Sequence, residues 1–346
     1  MHHRTACLLF RSTTLHRSIL ISSRSLHWSQ GMDAVKALVS SATQGKPQHL
    51  TGDKTAIEAF VDKYDVFLFD CDGVLWSGDH LFPKIPETIA MLRGKGKQLV
   101  FVTNNSTKSR SDYKKKFDSM GITAKEDEVF GSSYSAAIYI SRIMKLHAPK
   151  NKVYVLGESG VEQELASENV PFCGGTDPQL RRDMTPEDFK NIANGSMLDP
   201  DVAIVLTGLD YHPSYLKYSL GMAYLRNGAK FFATNIDSSL PSAGTLFPGA
   251  GSSSAPLVKA SGQEPLALGK PSQAMMDAIE GKFHFDRKKA CMIGDRLNTD
   301  IQFGIEGGLG GTLCVLTGVS KKEDFLAAGA EVVPCAYVDA LGDLLG

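Results

Sequence analysis

Short, nearly uninterrupted apolar runs recur along the chain: Val66-Phe67-Leu68-Phe69, Leu99-Val100-Phe101-Val102, Val153-Tyr154-Val155-Leu156, Val202-Ala203-Ile204-Val205-Leu206, Phe231-Phe232-Ala233 and Ala290-Cys291-Met292-Ile293. No polar residue alternates through them, so each predicts a strand covered on both faces, as in a parallel sheet flanked by helices. The intervening stretches show helical spacing instead. Ile57, Phe60 and Val61 share one face of Lys54 to Tyr64, and Ala137, Ile140, Ile143 and Met144 share one of Tyr134 to Leu146. Pro86 suits the first turn of a helix that ends near Gly94 to Gly96, and Gly121 stops another. Strand–helix alternation of this kind predicts an α/β protein with a doubly wound parallel sheet.

Near Pro149 the alternation starts afresh. Strands at 152–157 and 202–206, a helix from Ser214 to Arg226 and the run at 231–233 form a second block, while the Pro-punctuated stretch from Gly174 to Pro200 reads as loop. The expected organisation is a catalytic core of residues 49–149 and 238–346, with 150–237 inserted as an α/β cap. The helix after Gly251 and the segment Leu266 to Ser272 fall in the resumed core. Val74-Leu75-Trp76 and His80-Leu81-Phe82 look like a hairpin that could cover the end of the first strand. Thr312 to Leu316 and Glu331 to Val338 are the last strand candidates.

Residues 1–48 stand apart. Arg4, Arg11, Arg17 and Arg24 lie in a segment without Asp or Glu before Asp33, the pattern of a mitochondrial presequence; a start at Met32 is the alternative. The first reading predicts the mitochondrial matrix and the second the cytoplasm. A chain of 346 residues suits about two domains, and 42 % hydrophobic with 22 % charged residues is an ordinary globular composition. A net charge of −1 gives no footing for nucleic-acid binding, and no apolar run approaches the ~18 residues of a membrane span. Six scattered cysteines without a CxxC pair read as reduced thiols.

Polar clusters sit at the predicted strand ends: Asp70 and Asp72, then Thr103-Asn104-Asn105, Lys270, and Asp295 with Asp300. In open α/β sheets the crevice beyond the carboxyl ends of the strands binds ligands. Oxygen-only donors with no His or Cys cluster favour Mg²⁺. Thr103 and the amides opening the next helix suit anionic oxygens, and Lys270 supplies a mobile positive charge. Together they describe phosphoryl transfer. Two like charges ~4 Å apart repel by roughly 4 kcal/mol at an effective dielectric near 20, so a phosphate meeting these carboxylates needs the cation and the lysine. A carboxylate can attack phosphorus to give an acyl phosphate, and a second one can move the proton. The turn at Gly73 is expected to free space for the phosphate.

Asp70-x-Asp72-Gly73-Val74-Leu75-Trp76, Thr103-Asn104-Asn105-Ser106, Gly269-Lys270-Pro271-Ser272 and Gly294-Asp295-Arg296-Leu297-Asn298-Thr299-Asp300 resemble, in order and spacing, the four motifs of the haloacid dehalogenase superfamily. More narrowly they resemble its phosphoglycolate and 4-nitrophenyl phosphate phosphatases and the related pyridoxal phosphatases. The resemblance covers about residues 50–346. It implies Asp70 as nucleophile and Asp72 as general acid and base. It also implies Mg²⁺ on Asp70, Asp295 and the backbone carbonyl of Asp72, phosphate on Thr103, Asn104, Asn105 and Lys270, and Asp300 as a support. The long insert is where this family carries its cap, which favours a small phosphorylated metabolite and a homodimer through the cap. The segment from Thr234 to Pro241 looks like the substrate-specificity loop, where Leu240 replaces a His of the pyridoxal phosphatases and is more like the phosphoglycolate branch.

Other readings stand beside this one. A dehalogenase would lack the second acid and an ion pump would carry Thr there, so Asp72 favours ester hydrolysis. A pyridoxal phosphate phosphatase and a non-catalytic binder of Mg²⁺ or phosphate remain alternatives. An EF-hand also begins D-x-D, but Gly73 comes too early for one. Cys71 reads as a buried apolar residue before a redox switch, because nearby carboxylates disfavour its thiolate. Gly307-Gly308-Leu309-Gly310-Gly311 follows a helix and precedes a strand, the wrong order for a dinucleotide loop.

Overall fold

The computed structural model describes residues 46–242 and 245–346; residues 1–45 of the proposed leader lie outside these residues. In chain order come β1 (Gln48–His49), β2 (Val66–Phe69), the hairpin β3 (Trp76–Ser77) and β4 (His80–Leu81), β5 (Gln98–Thr103) and β6 (Val129–Gly131). The insert supplies β7 (Lys152–Leu156), β8 (Phe172–Gly174), β9 (Val202–Thr207), β10 (Lys230–Ala233), a second hairpin of β11 (Ser239–Ser242) and β12 (Thr245–Pro248), and β13 (Leu266–Ala267). β14 (Ala290–Gly294), β15 (Gly311–Val315) and β16 (Ala336–Val338) complete the core.

The core sheet has the order β1-β16-β15-β14-β2-β5-β6, and every pair in it is parallel. The chain first winds outward from β2 through β5 to β6, then returns beside β2 on its other edge as β14. The carboxyl end of β2 is therefore a switch point, where helices diverge and leave a crevice. Phe67 and Phe69 pack on one face with Phe101 and Trp76, while Val66 and Leu68 pack on the other with Val100, Met275 and Phe303. That two-sided burial is the reason no polar residue interrupts the run.

The insert has its own parallel sheet, ordered β13-β10-β9-β7-β8. Its extent corrects the expected boundary. β13 pairs with β10, and the helix Ala250–Ser261 buries Leu257 among Leu156, Leu216 and Leu220, so the chain rejoins the core near residue 267 rather than 237. Val258 of the same helix packs beside Leu257 on that cluster. The Pro-punctuated stretch from Gly174 to Pro200 is not all loop: it holds the helix Pro186–Ala193, opened by a capping box between Thr185 and Asp188.

Core and insert share one helix. Tyr134 and Ile138 pack into the core, whereas Ala136, Ala137 and Ile140 pack against Val153, Val161 and Leu206 of the insert. Residues Pro47–Gly346 accordingly form a single compact unit. Among the described residues, no helix is long and apolar enough to cross a membrane.

Candidate active site

β2 ends at Phe69, and Asp70 continues its ladder by donating its backbone N–H to Ile293 O at 2.9 Å. β14 ends one residue before Asp295. Two adjacent strands thus deliver Asp70 and Asp295 to the same crevice, and oxygens of Asp70, Asp295 and Asp300 lie within 4.8 Å of one another. All three are buried.

Lys270 is the counter-charge. Its Nζ donates to Asp70 Oδ1 and Asp300 Oδ1, each at 2.7 Å, and to Val102 O at 2.9 Å. Burial alone would lower its pKa, but Asp300 and Asp70 more than offset that and hold the ammonium charged. All three of its protons are committed, so the mobile charge expected from the sequence is instead a fixed strut. It fixes Asp70 Oδ1 and leaves Oδ2 free. Burial, opposed by Lys270, raises the Asp70 carboxyl well above the ordinary range, and burial with the neighbouring Asp300 pushes Asp295 up to about 7.

Asp300 is tied on both oxygens, Oδ1 to Lys270 and Oδ2 to the backbone N–H groups of Asp295 and Arg296 at 3.2 and 3.1 Å. It shapes the turn after β14, with both oxygens engaged by Lys270 and the backbone. Asp295 Oδ2 accepts from Val319 N–H at 2.7 Å, leaving Oδ1. The unspent donors are therefore one carboxylate oxygen each from Asp70 and Asp295: hard, clustered and short of positive charge. Such a set fits a small divalent cation.

Gly73 has φ +91°, and a Cβ there would lie 2.7 Å from the Asp295 carboxylate. The space it frees is filled by Asp295, not kept for phosphate as expected. Asp72 sits partly exposed beside it, its Oδ1 accepting the Trp76 indole N–H at 2.9 Å. Trp76 itself is fully buried against Tyr113 and Phe117, so it serves both as core residue and as the group that orients Asp72. Cys71 points into the core, and burial and then the flanking aspartates push its thiol well up.

On the β5 side, Thr103 Oγ1 accepts from Asn105 N–H at 3.1 Å and Asn105 Oδ1 accepts from Thr107 N–H at 3.0 Å, forming a tight turn into the helix Arg110–Ser119. Both line the cavity. Asn104 departs from expectation: its Oδ1 accepts Lys270 N–H at 2.8 Å, and its Nδ2 donates to Lys270 O and Asp237. Its carboxamide rivets three segments together and is not available to phosphate.

These residues line a cavity of about 640 Å³ between core and insert, walled on the insert side by Leu209, Leu240 and Leu246. Asp237, Arg296 and Lys321 also line it and were not singled out from the sequence. The signal for Asp237 was present: β10 is an apolar strand running into Asn235 and Asp237, the same device as β2 and β14. Arg296 carries no such signal: it follows Asp295 in the loop after β14, where an arginine is equally at home in solvent.

A model of the haloacid dehalogenase-like hydrolases matches residues 67–171, and a second, HAD-hydrolase-like model matches 267–344. A 4-nitrophenylphosphatase of Schizosaccharomyces pombe is 51 % identical over 82 % of this chain and 94 % of its own. The chain belongs to the haloacid dehalogenase-like hydrolases. The first match runs on through β7 of the insert, and the second resumes at Ala267, where the chain returns to the core. A chloroplastic phosphoglycolate phosphatase of Arabidopsis thaliana is 41 % identical over 83 % of this chain and 78 % of its own. Among solved structures, a glycerol phosphate phosphatase of Mycobacterium tuberculosis in complex with magnesium superposes with a TM-score of 0.67 at 27 % identity, over 82 % of this chain and 77 % of that one. This haloacid dehalogenase-like hydrolase is a phosphatase.

Proposed function

We propose that this phosphatase hydrolyses small phosphomonoesters of the phosphoglycolate and 4-nitrophenyl phosphate type, with Mg²⁺, through an aspartyl-phosphate on Asp70. The observation that carries the reading is the Asp70–Lys270–Asp300 triad: Lys270 pins Oδ1 of Asp70, and Asp70 lines the cavity. A pinned carboxylate is pre-aligned for in-line attack, which removes much of the entropy of finding that geometry.

The Asp70 carboxylate forms the bond to phosphorus as the ester P–O bond breaks. Asp72, protonated, gives its proton to the departing oxygen. The same carboxylate then takes a proton from water, whose oxygen attacks phosphorus and frees Asp70 with release of inorganic phosphate. Trp76 holds one Asp72 oxygen, so the other carries the proton in both directions. Mg²⁺, held by Asp70, Asp295 and the Asp72 carbonyl, would neutralise phosphoryl oxygens and the clustered carboxylates. Thr103 and the Asn105 turn supply donors on the opposite side.

The leucine wall suits an aryl leaving group, and Arg296 and Lys321 suit a second anionic group such as a carboxylate, which supports the two substrate types together. Asp70→Asn tests the mechanism: 4-nitrophenyl phosphate turnover should fall by on the order of 10⁴-fold or more, with no acid-stable or acyl-phosphate label retained from ³²P substrate. Full turnover in that variant would sink the mechanism.

A further inference from the structure

Between Asn104 and Arg110 the turn that follows β5 is bonded to the insert at four points. Asn235 Nδ2 donates to Asn104 O at 2.6 Å, and Leu209 N–H to Ser106 Oγ at 3.2 Å. Gly160 N–H donates to Thr107 O at 3.2 Å, and Arg110 N–H to Glu164 Oε1 at 2.6 Å. The last of these is the strongest. Glu164 lies on the insert helix Ser159–Ser167, is 2 % exposed, and also takes Arg110 Nε on both oxygens at 3.2 and 3.0 Å. The Arg110 guanidinium in turn lies 3.4 Å from the centre of the Tyr134 ring.

Arg110 is the first residue of its helix, so its N–H has no partner within that helix. Glu164 satisfies it from another part of the chain, with a charge beside the positive end of the helix. The approach is as close as backbone permits: a Cβ on Gly160 would lie 2.5 Å from Lys108 N and C and 2.6 Å from Thr107 C. Among the described residues, no hydrogen bond joins 105–110 to Asp70, Asp295 or Asp300. Asn104 is held by Lys270 of the core, but the part of the turn after it is tied to the insert and not to the carboxylate cluster.

We infer that Glu164 is a positioning residue for phosphate binding: from the insert, it fixes the start of the helix Arg110–Ser119 and so the part of the turn from Asn105 to Ser109. The insert is then part of the phosphate seat as well as a cover over it. This rests on the reading above of the β5 turn as the phosphate side of the site.

The full chain carrying Glu164→Ala is assayed for kcat and KM with 4-nitrophenyl phosphate, inhibition by inorganic phosphate, and half-saturation by Mg²⁺. KM and the inhibition constant for phosphate should rise together by about tenfold, with Mg²⁺ half-saturation within about twofold of the parent, since small misplacements of a binding group weaken binding steeply. Glu164→Gln keeps an acceptor for Arg110 N–H and should recover most of the loss. Unchanged KM and phosphate inhibition would overturn the inference, as would a parallel loss of Mg²⁺ affinity, which marks general loosening of the site. Should Glu164→Ala not fold, Glu164→Gln decides alone: a two- to fivefold rise in both constants supports the role, and parental values overturn it. Failure of the underlying reading looks different: inorganic phosphate would then not inhibit the parent protein.

Discussion

The two walls of the one cavity are built on opposite plans. On the core side, Asp70, Asp295, Asp300, Lys270 and Asn104 are buried, and nearly every polar atom has a partner fixed by a backbone group or a charge. On the insert side, Leu209, Leu240 and Leu246 face the same space with no polar side-chain contact to hold them, and Leu246 is 65 % exposed on its hairpin. A saturated hydrogen-bond network has one arrangement, whereas an apolar wall can be repacked at small cost. Chemistry is thereby separated from choice of leaving group, and substitutions on the two walls should differ in kind.

The largest effect expected after loss of the nucleophile is at Asp72. Asp72→Asn keeps an oxygen for the Trp76 N–H yet removes the transferable proton, so turnover of an alkyl phosphate should fall by about 10²–10⁴-fold. Nitrophenolate leaves without needing a proton, so its release should be spared in the first turnover and blocked in the second. A stopped-flow burst of one product equivalent per site checks this. Equal damage to both phases would place the proton donor elsewhere.

Next comes Gly73→Ala. The new methyl enters the space of the Asp295 carboxylate, and the residue must also hold φ +91°. Half-saturation by Mg²⁺ should rise by about ten- to a hundredfold, while KM for substrate at saturating Mg²⁺ changes far less. The opposite pattern would restore the idea that this glycine makes room for phosphate.

The same carboxylate sets a pH dependence. With Asp295 pushed up to about 7 by burial and Asp300, the metal-free fold binds a proton that the unfolded chain has already released above about pH 4. Stability contributed by this group is full below that lower value and is lost as pH rises towards 7. A divalent cation relieves the buried charge, so the gain in melting temperature on adding Mg²⁺ should be greater at pH 7.5 than at 5.5. Apparent affinity should fall as pH drops below 7, by about tenfold per unit for each proton the ion displaces. A Mg²⁺ shift that is flat across this range would break the link.

The core wall was legible in the sequence because its signals are local. Asp70 and Asp295 each end an apolar strand, and a parallel sheet leaves few places for such ends to go. Partner choice was not legible. Nothing in the Thr103-Asn104-Asn105 turn distinguishes a carboxamide aimed at phosphate from one spent on Lys270, because the decision rests on a contact 166 residues away. The insert was read less well for a similar reason. Leu266-Ala267 is too short to announce a strand, and its partner β10 lies more than thirty residues earlier in the chain, beyond a hairpin and a helix. Residue type fixes what a side chain can do, but long-range packing decides which option it takes.

The smallest effect belongs to the apolar wall. Leu240 is half-buried on β11, paired across the hairpin with Phe247, and touches the cavity without a bond to any catalytic group. Leu240→His should therefore leave Mg²⁺ half-saturation and the Asp70 chemistry near parental values. Its effect should fall on the leaving group: an imidazole offers a ring face and a donor where the leucine offers only methyls. Pyridoxal phosphate should gain over phosphoglycolate by about tenfold in kcat/KM, the scale on which an apolar pocket discriminates. If both substrates lost activity equally, with Mg²⁺ affinity falling too, then the hairpin would be wired to the core after all. The contrast between a fixed wall and an adjustable one would fail at the position best placed to show it.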